Sequence, residues 1–64
     1  MNLYVIECGT QMGIEAHRSI TEARAAGDAE FGSRNGPTAR LASMADIAWW
    51  EGMTGRKASE KLAE

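Results

Sequence analysis

Apolar residues occupy both sides of the alternation along residues 2–8. Leu3 and Val5 fall on one side, and Tyr4, Ile6 and Cys8 on the other. This predicts a strand, and its two apolar sides predict a central place in a sheet covered at least partly on both faces. Gly9-Thr10-Gln11-Met12-Gly13 predicts a glycine-flanked hairpin loop, with Met12 a candidate surface contact. Ile14-Glu15-Ala16-His17-Arg18 then alternates apolar and polar residues as a shorter second strand with one wet face. Ser19-Ile20-Thr21-Glu22 matches a capping box and opens an alanine-rich helix over residues 20–31. Its buried stripe is Ile20, Ala23, Gly27 and Phe31, with Ala26 beside it, while Glu22, Arg24, Asp28 and Glu30 face water. Gly27 on that stripe implies a close approach to the sheet, and Gly32 is a natural residue to end the helix.

Ser33-Arg34-Asn35-Gly36-Pro37 is the strongest loop signal in the chain. A third strand follows over residues 38–42. A second helix starts at Ser43, with Asp46 completing a weaker version of the same box, and ends at Gly55. Residues 56–64 read as a short helix or a frayed tail whose last apolar anchor is Leu62. The predicted fold is therefore a single α+β domain over residues 1–64, in the order β-β-α-β-α. Its simplest sheet is three-stranded and antiparallel, with the first strand central and both helices packed on one face.

The second helix holds both tryptophans. Adjacent residues on a helix sit about 100° apart, so one narrow stripe does not cover both. One tryptophan is expected in the core and the other near the surface, with Trp49 the exposed candidate.

Size and composition narrow the possibilities. A chain of 64 residues buries only about 60% of the surface its unfolded form exposes, which leaves a thin stability margin. Small domains compensate with disulfides, a metal, a partner chain or very regular packing. With one cysteine, Cys8, and one histidine, His17, neither an intrachain disulfide nor an ordinary zinc set is expected. Compact packing or oligomerisation is left. The longest apolar run, residues 3–6, is far shorter than the roughly 20 residues a membrane helix needs, and no secretory signal pattern is read. Together with a lone thiol, this makes the cytoplasm the expected location. The net charge of −2 names no partner. Residues 1–33 carry five acids against two bases, which argues against a basic nucleic-acid surface.

No reactive constellation stands out. Cys8 and His17 are expected at different levels of the hairpin, too far apart for a thiol and its base. Glu7 and Glu15 can lie close across the hairpin, but on a wet face rather than in a cleft that would shift their pKa values. No phosphate-binding glycine pattern is present; Thr54-Gly55-Arg56-Lys57 follows a helix rather than a strand. No catalytic residue, cofactor or metal is expected, and an enzyme is the least favoured class.

The arrangement resembles that of very small α/β proteins encoded by bacteriophages and mobile elements. The residues that carry the likeness are Asp46-Ile47-Ala48-Trp49-Trp50-Glu51-Gly52-Met53-Thr54-Gly55, following a strand hairpin and an alanine-rich helix. Several such proteins are anti-CRISPR inhibitors, and the length, acidity and layout look like those directed at type I systems, type I-C among them. The resemblance implies a non-enzymatic inhibitor that binds a CRISPR surveillance-complex subunit or nuclease by steric occlusion in the host bacterial cell. On this reading Glu7, Glu15, Glu22, Asp28, Glu30 and Trp49 are the candidate partner contacts. Two alternatives stay open. One is a homodimeric accessory module that hides Trp49 and Met53 in a self-interface. The other is a small nucleic-acid binder using Arg34, Arg40, Arg56 and Lys57.

Overall fold

A computed structural model describes residues 1–63. The chain runs β1 (Asn2–Cys8), β2 (Gln11–His17), α1 (Ile20–Phe31), a 3-10 turn (Ser33–Asn35), β3 (Thr38–Leu41), α2 (Met44–Thr54) and a C-terminal 3-10 helix (Ala58–Ala63). The three strands form one antiparallel sheet in the order β2-β1-β3, so the first strand is central as the alternation predicts.

The hairpin is tighter than the glycine spacing implies. Cys8 pairs with Gln11 across a two-residue turn, Gly9-Thr10. Gly9 has a φ of +61° and Thr10 keeps a negative φ, the glycine-first arrangement that a type II′ turn needs. Strand β2 therefore begins at Gln11. Met12, expected in the loop, is a half-buried strand residue packed against the core.

Both helices start at serine caps, with unequal results. Ser19 Oγ accepts the Glu22 N–H at 3.1 Å, but the Glu22 carboxylate turns away to the Arg18 amide and His17. At Ser43 the box is complete. Ser43 Oγ accepts the Asp46 N–H at 3.1 Å, and Asp46 Oδ2 accepts the Ser43 N–H at 2.8 Å. The shorter aspartate side chain, with no histidine competing for it, makes the more complete cap. Helix α2 ends where Gly55 donates its N–H to the Glu51 carbonyl at 2.9 Å.

The helices do not share one face of the sheet, contrary to the simplest sequence expectation. Successive β1 side chains point to opposite faces, and both sets are buried: Tyr4 and Ile6 on one side, Val5 on the other. A single helical layer cannot cover both. Helix α1 lies over the Ile6 side, with Ala23 and Gly27 buried against the sheet. Trp50 of α2 and Ala58 of the C-terminal helix close the other side over Val5 and Ile14. Leu3, Met12, Ala42 and Ile47 complete that cluster. The sheet is thus the middle of three layers.

The C-terminal segment is helical, but its anchor is not Leu62, which is exposed; it is Ala58, which is fully buried. Glu51 Oε2 accepts the Ala58 N–H at 2.8 Å and ties the segment to α2. Arg56 and Lys61 lie 6.0 and 5.7 Å from the centroid of the Trp50 ring, within cation–π range. No helix of the described residues is long and apolar enough to cross a membrane.

Candidate functional site

The charged candidates fall into separate groups. On the sheet face toward α2, Arg40 of β3 makes a bidentate pair with Asp46, with Nη2 to Oδ1 at 2.9 Å and Nη1 to Oδ2 the second arm. Its Nε also lies 3.4 Å from Glu7 Oε1. The Arg40 guanidinium, helped by the Ser43 amide, holds the Asp46 carboxyl well below the usual carboxylate range. In turn Asp46 raises the pKa of Arg40. Strand β3 is thereby clasped to the first turn of α2.

On the opposite face, His17 stands between two carboxylates. Its Nε2 is 3.0 Å from Glu15 Oε1 and its Nδ1 is 3.4 Å from Glu22 Oε1. Glu22 also accepts the Arg18 N–H at 3.2 Å, and this amide, followed by His17, lowers the Glu22 pKa. The cluster fastens the end of β2 to the start of α1.

The five acidic candidates therefore do not form one surface. Glu7 pairs with Met12 across the hairpin and Glu15 with Tyr4, so the two glutamates lie on opposite sheet faces rather than side by side. Glu7 is engaged by Arg40, and Glu15 and Glu22 by His17. Glu30 sits over the β2 flank of α1, lining a groove with Glu15 and Phe31, whereas Asp28 lines a groove on the β3 flank with Pro37 and Thr38. Neither Asp28 nor Glu30 has an ion-pair partner among the described residues.

The reactive candidates are also dispersed. Cys8 pairs with Gln11 and His17 with Asn2, at opposite ends of the hairpin and about 20 Å apart along the strands. The Cys8 thiol donates to the Asn35 carbonyl at 3.5 Å. Among the described residues no group of three or more metal-ligating side chains is assembled. The basic candidates do not gather either. Arg40 is committed to Asp46 and Glu7, Arg56 lies near Trp50, and Arg34 belongs to the 3-10 turn.

What the structure does assemble is an apolar surface. Trp50 is buried and Trp49 is 48% exposed, as the adjacency of the two rings implies. Met44 and Met53 are exposed by 88% and 69%. At 100° per residue, Met44, Ala48, Gly52, Ala45, Trp49 and Met53 occupy one continuous half of α2, with no charged residue among them. The two carboxylates of the helix are engaged elsewhere, Asp46 by Arg40 and Ser43, and Glu51 by Ala58.

Sequence reasoning found Trp49 and Met53 but missed the surface they belong to. The signal was present: among the eleven residues of α2 only Asp46, Glu51 and Thr54 are polar, so the helix is apolar on both sides. Gly52 strengthens it. A glycine inside a helix costs about 1 kcal/mol relative to alanine. In α1 that cost has a reason, because a Cβ on Gly27 would lie 3.1 Å from Ile6 Cγ2. On Gly52 a Cβ would meet nothing within 4 Å.

No family model matches this chain, and no curated protein or solved structure matches it.

Proposed function

We propose that the protein is a non-enzymatic binding module that works by laying the outer face of α2 against another protein surface. The observation that carries this reading is the uncharged half-cylinder of Met44, Ala45, Ala48, Trp49, Gly52 and Met53, with its three large side chains open to solvent. Soluble monomers keep contiguous apolar patches small. Tryptophan is enriched among the residues that dominate binding energy, and methionine adapts to a partner's contours.

The setting we propose is the one implied by the resemblance to small phage-encoded anti-CRISPR proteins: occlusion of a CRISPR subunit or nuclease inside the host cell. Asp28 and Glu30 on α1 are then available for contacts away from α2. The test is phage plating on bacteria with an active CRISPR system, expressing either the wild-type chain or Trp49→Ser/Met53→Ser. The wild type is expected to restore plating of a targeted phage, and the double variant, folded by circular dichroism, to lose that effect. No restoration by the wild type removes the inhibitor role. Full restoration by the variant removes the α2 face as the contact.

A further inference from the structure

We infer that Asn35-Gly36, in the loop between α1 and β3, is a site of spontaneous covalent modification in which the Asn35 amide is lost to water. The reaction begins when the Gly36 backbone nitrogen, its proton taken by solvent base, attacks Asn35 Cγ. The N–Cγ bond forms as the Cγ–Nδ2 bond breaks, and the departing nitrogen takes up a proton and leaves as ammonia. Water then opens the succinimide ring at either carbonyl, giving aspartate or isoaspartate with no oxidant, reductant or cofactor. Glycine hinders this attack least, because it has no Cβ and its backbone turns freely. Both residues are exposed to the water the reaction needs. Asn2, the other asparagine of the chain, precedes the branched Leu3 and is paired with His17 in the sheet.

The fold guards both reacting groups. Asn35 Nδ2, the leaving group, donates to the Phe31 carbonyl at 2.6 Å. The Gly36 N–H, the nucleophile, donates to the Ser33 carbonyl at 3.2 Å. Attack therefore waits for the turn to open, and a short exposed 3-10 turn is the kind of element that opens locally at little cost. Once the amide is lost, the turn does not close as before. A carboxylate replaces the donor that faced the Phe31 carbonyl, at the negative end of the α1 dipole, and α1 has no base in its last turn. Isoaspartate also lengthens the backbone by an atom between two anchored points. Before it, the Gly32 N–H is held by the Asp28 carbonyl at 2.9 Å; after it, Thr38 is paired with Glu7. The modification thus loosens the join between α1 and β3, and the change accumulates as the chain ages.

The test is incubation of the full wild-type chain at mildly alkaline pH, in buffer and in concentrated urea, with peptide mapping by mass spectrometry over time. Conversion is expected at Asn35 and not at Asn2, and several-fold more slowly in buffer than in urea. The aged chain, separated by ion exchange, is expected to melt at a lower temperature than the fresh one. The Asn35→Asp variant should melt lower in the same sense, with amide shifts changed at Gly32, Gly36 and Thr38. An Asn35 that stays intact in the folded chain while the unfolded chain converts completely overturns the site. Equal rates in buffer and urea overturn the guard by the turn. An aged chain and a variant that both melt like the fresh wild type overturn the loosening of α1 from β3.

Discussion

Gly27 of α1 rides over Ile6 of β1 so closely that a Cβ on it would lie 3.1 Å from Ile6 Cγ2. Ile6 is 1% exposed. A leucine at position 27 overpacks this contact, and Gly27→Leu is expected to cost about 1–3 kcal/mol in urea unfolding. Gly52→Ala, whose Cβ would meet nothing within 4 Å, is expected to gain up to about 1 kcal/mol from helix propensity alone. The two glycines are equivalent in propensity and opposite in context, so the sign of the change separates them.

Neighbouring tryptophans carry different loads. Trp50, 7% exposed, closes the core over Val5 and Ile14, and Trp50→Ala is expected to cost about 3–5 kcal/mol. That is comparable with the whole stability of a domain this size, so the variant should be largely unfolded. Trp49 is 48% exposed, and Trp49→Ala should stay within about 0.5 kcal/mol of the wild type. Equal losses at the two positions would contradict the assignment of faces.

The clasp between β3 and α2 makes stability depend on acid in a stated direction. Folding lowers the Asp46 pKa from its ordinary 3.8, because Arg40 and the Ser43 amide favour the carboxylate. A lowered carboxyl pKa contributes its full stability above the unfolded value and loses it as pH falls toward the folded one. The melting temperature should therefore be insensitive to this group at neutral pH and fall below about pH 4. In Asp46→Asn that fall should be shallower. Glu22, also lowered, titrates in the same sense, so the difference between the two curves isolates Asp46.

Residues after Gly55 form part of the core. Ala58 is fully buried beside Trp50, and Arg56 and Lys61 lie over the same ring. In a Trp49→Phe background, a chain ending at Gly55 should show red-shifted tryptophan emission and a lower melting temperature. Unchanged emission would mean that Trp50 is shielded without this segment.

The sequence made the strand order, the α1 stripe and the burial of one tryptophan legible, because each rests on periodicity or on a cap. Three features escaped for physical reasons. The glycines at 9 and 13 bracket five residues, but the turn uses Gly9-Thr10 alone. The pairing moves by an odd number of residues, which sends Glu7 and Glu15 to opposite faces. The side of the sheet taken by α2 was hidden because large apolar residues lie on both halves of that helix, and its two carboxylates, Asp46 and Glu51, sit on the half that turns inward. Ala58 gave no signal because a small residue in a charged stretch looks solvated, although it is fully buried in the cluster with Val5, Ile14 and Trp50. The acidic candidates were chosen by charge alone, and three of the five prove to hold Arg40 or His17 in place.

The most direct measurement follows amide and indole chemical shifts of the labelled chain as a purified CRISPR surveillance complex is titrated in. Shifts or broadening are expected first at Met44, Ala45, Ala48, Trp49, Gly52 and Met53. A spectrum that stays the same throughout the titration, or changes gathered on α1 instead, would contradict the account.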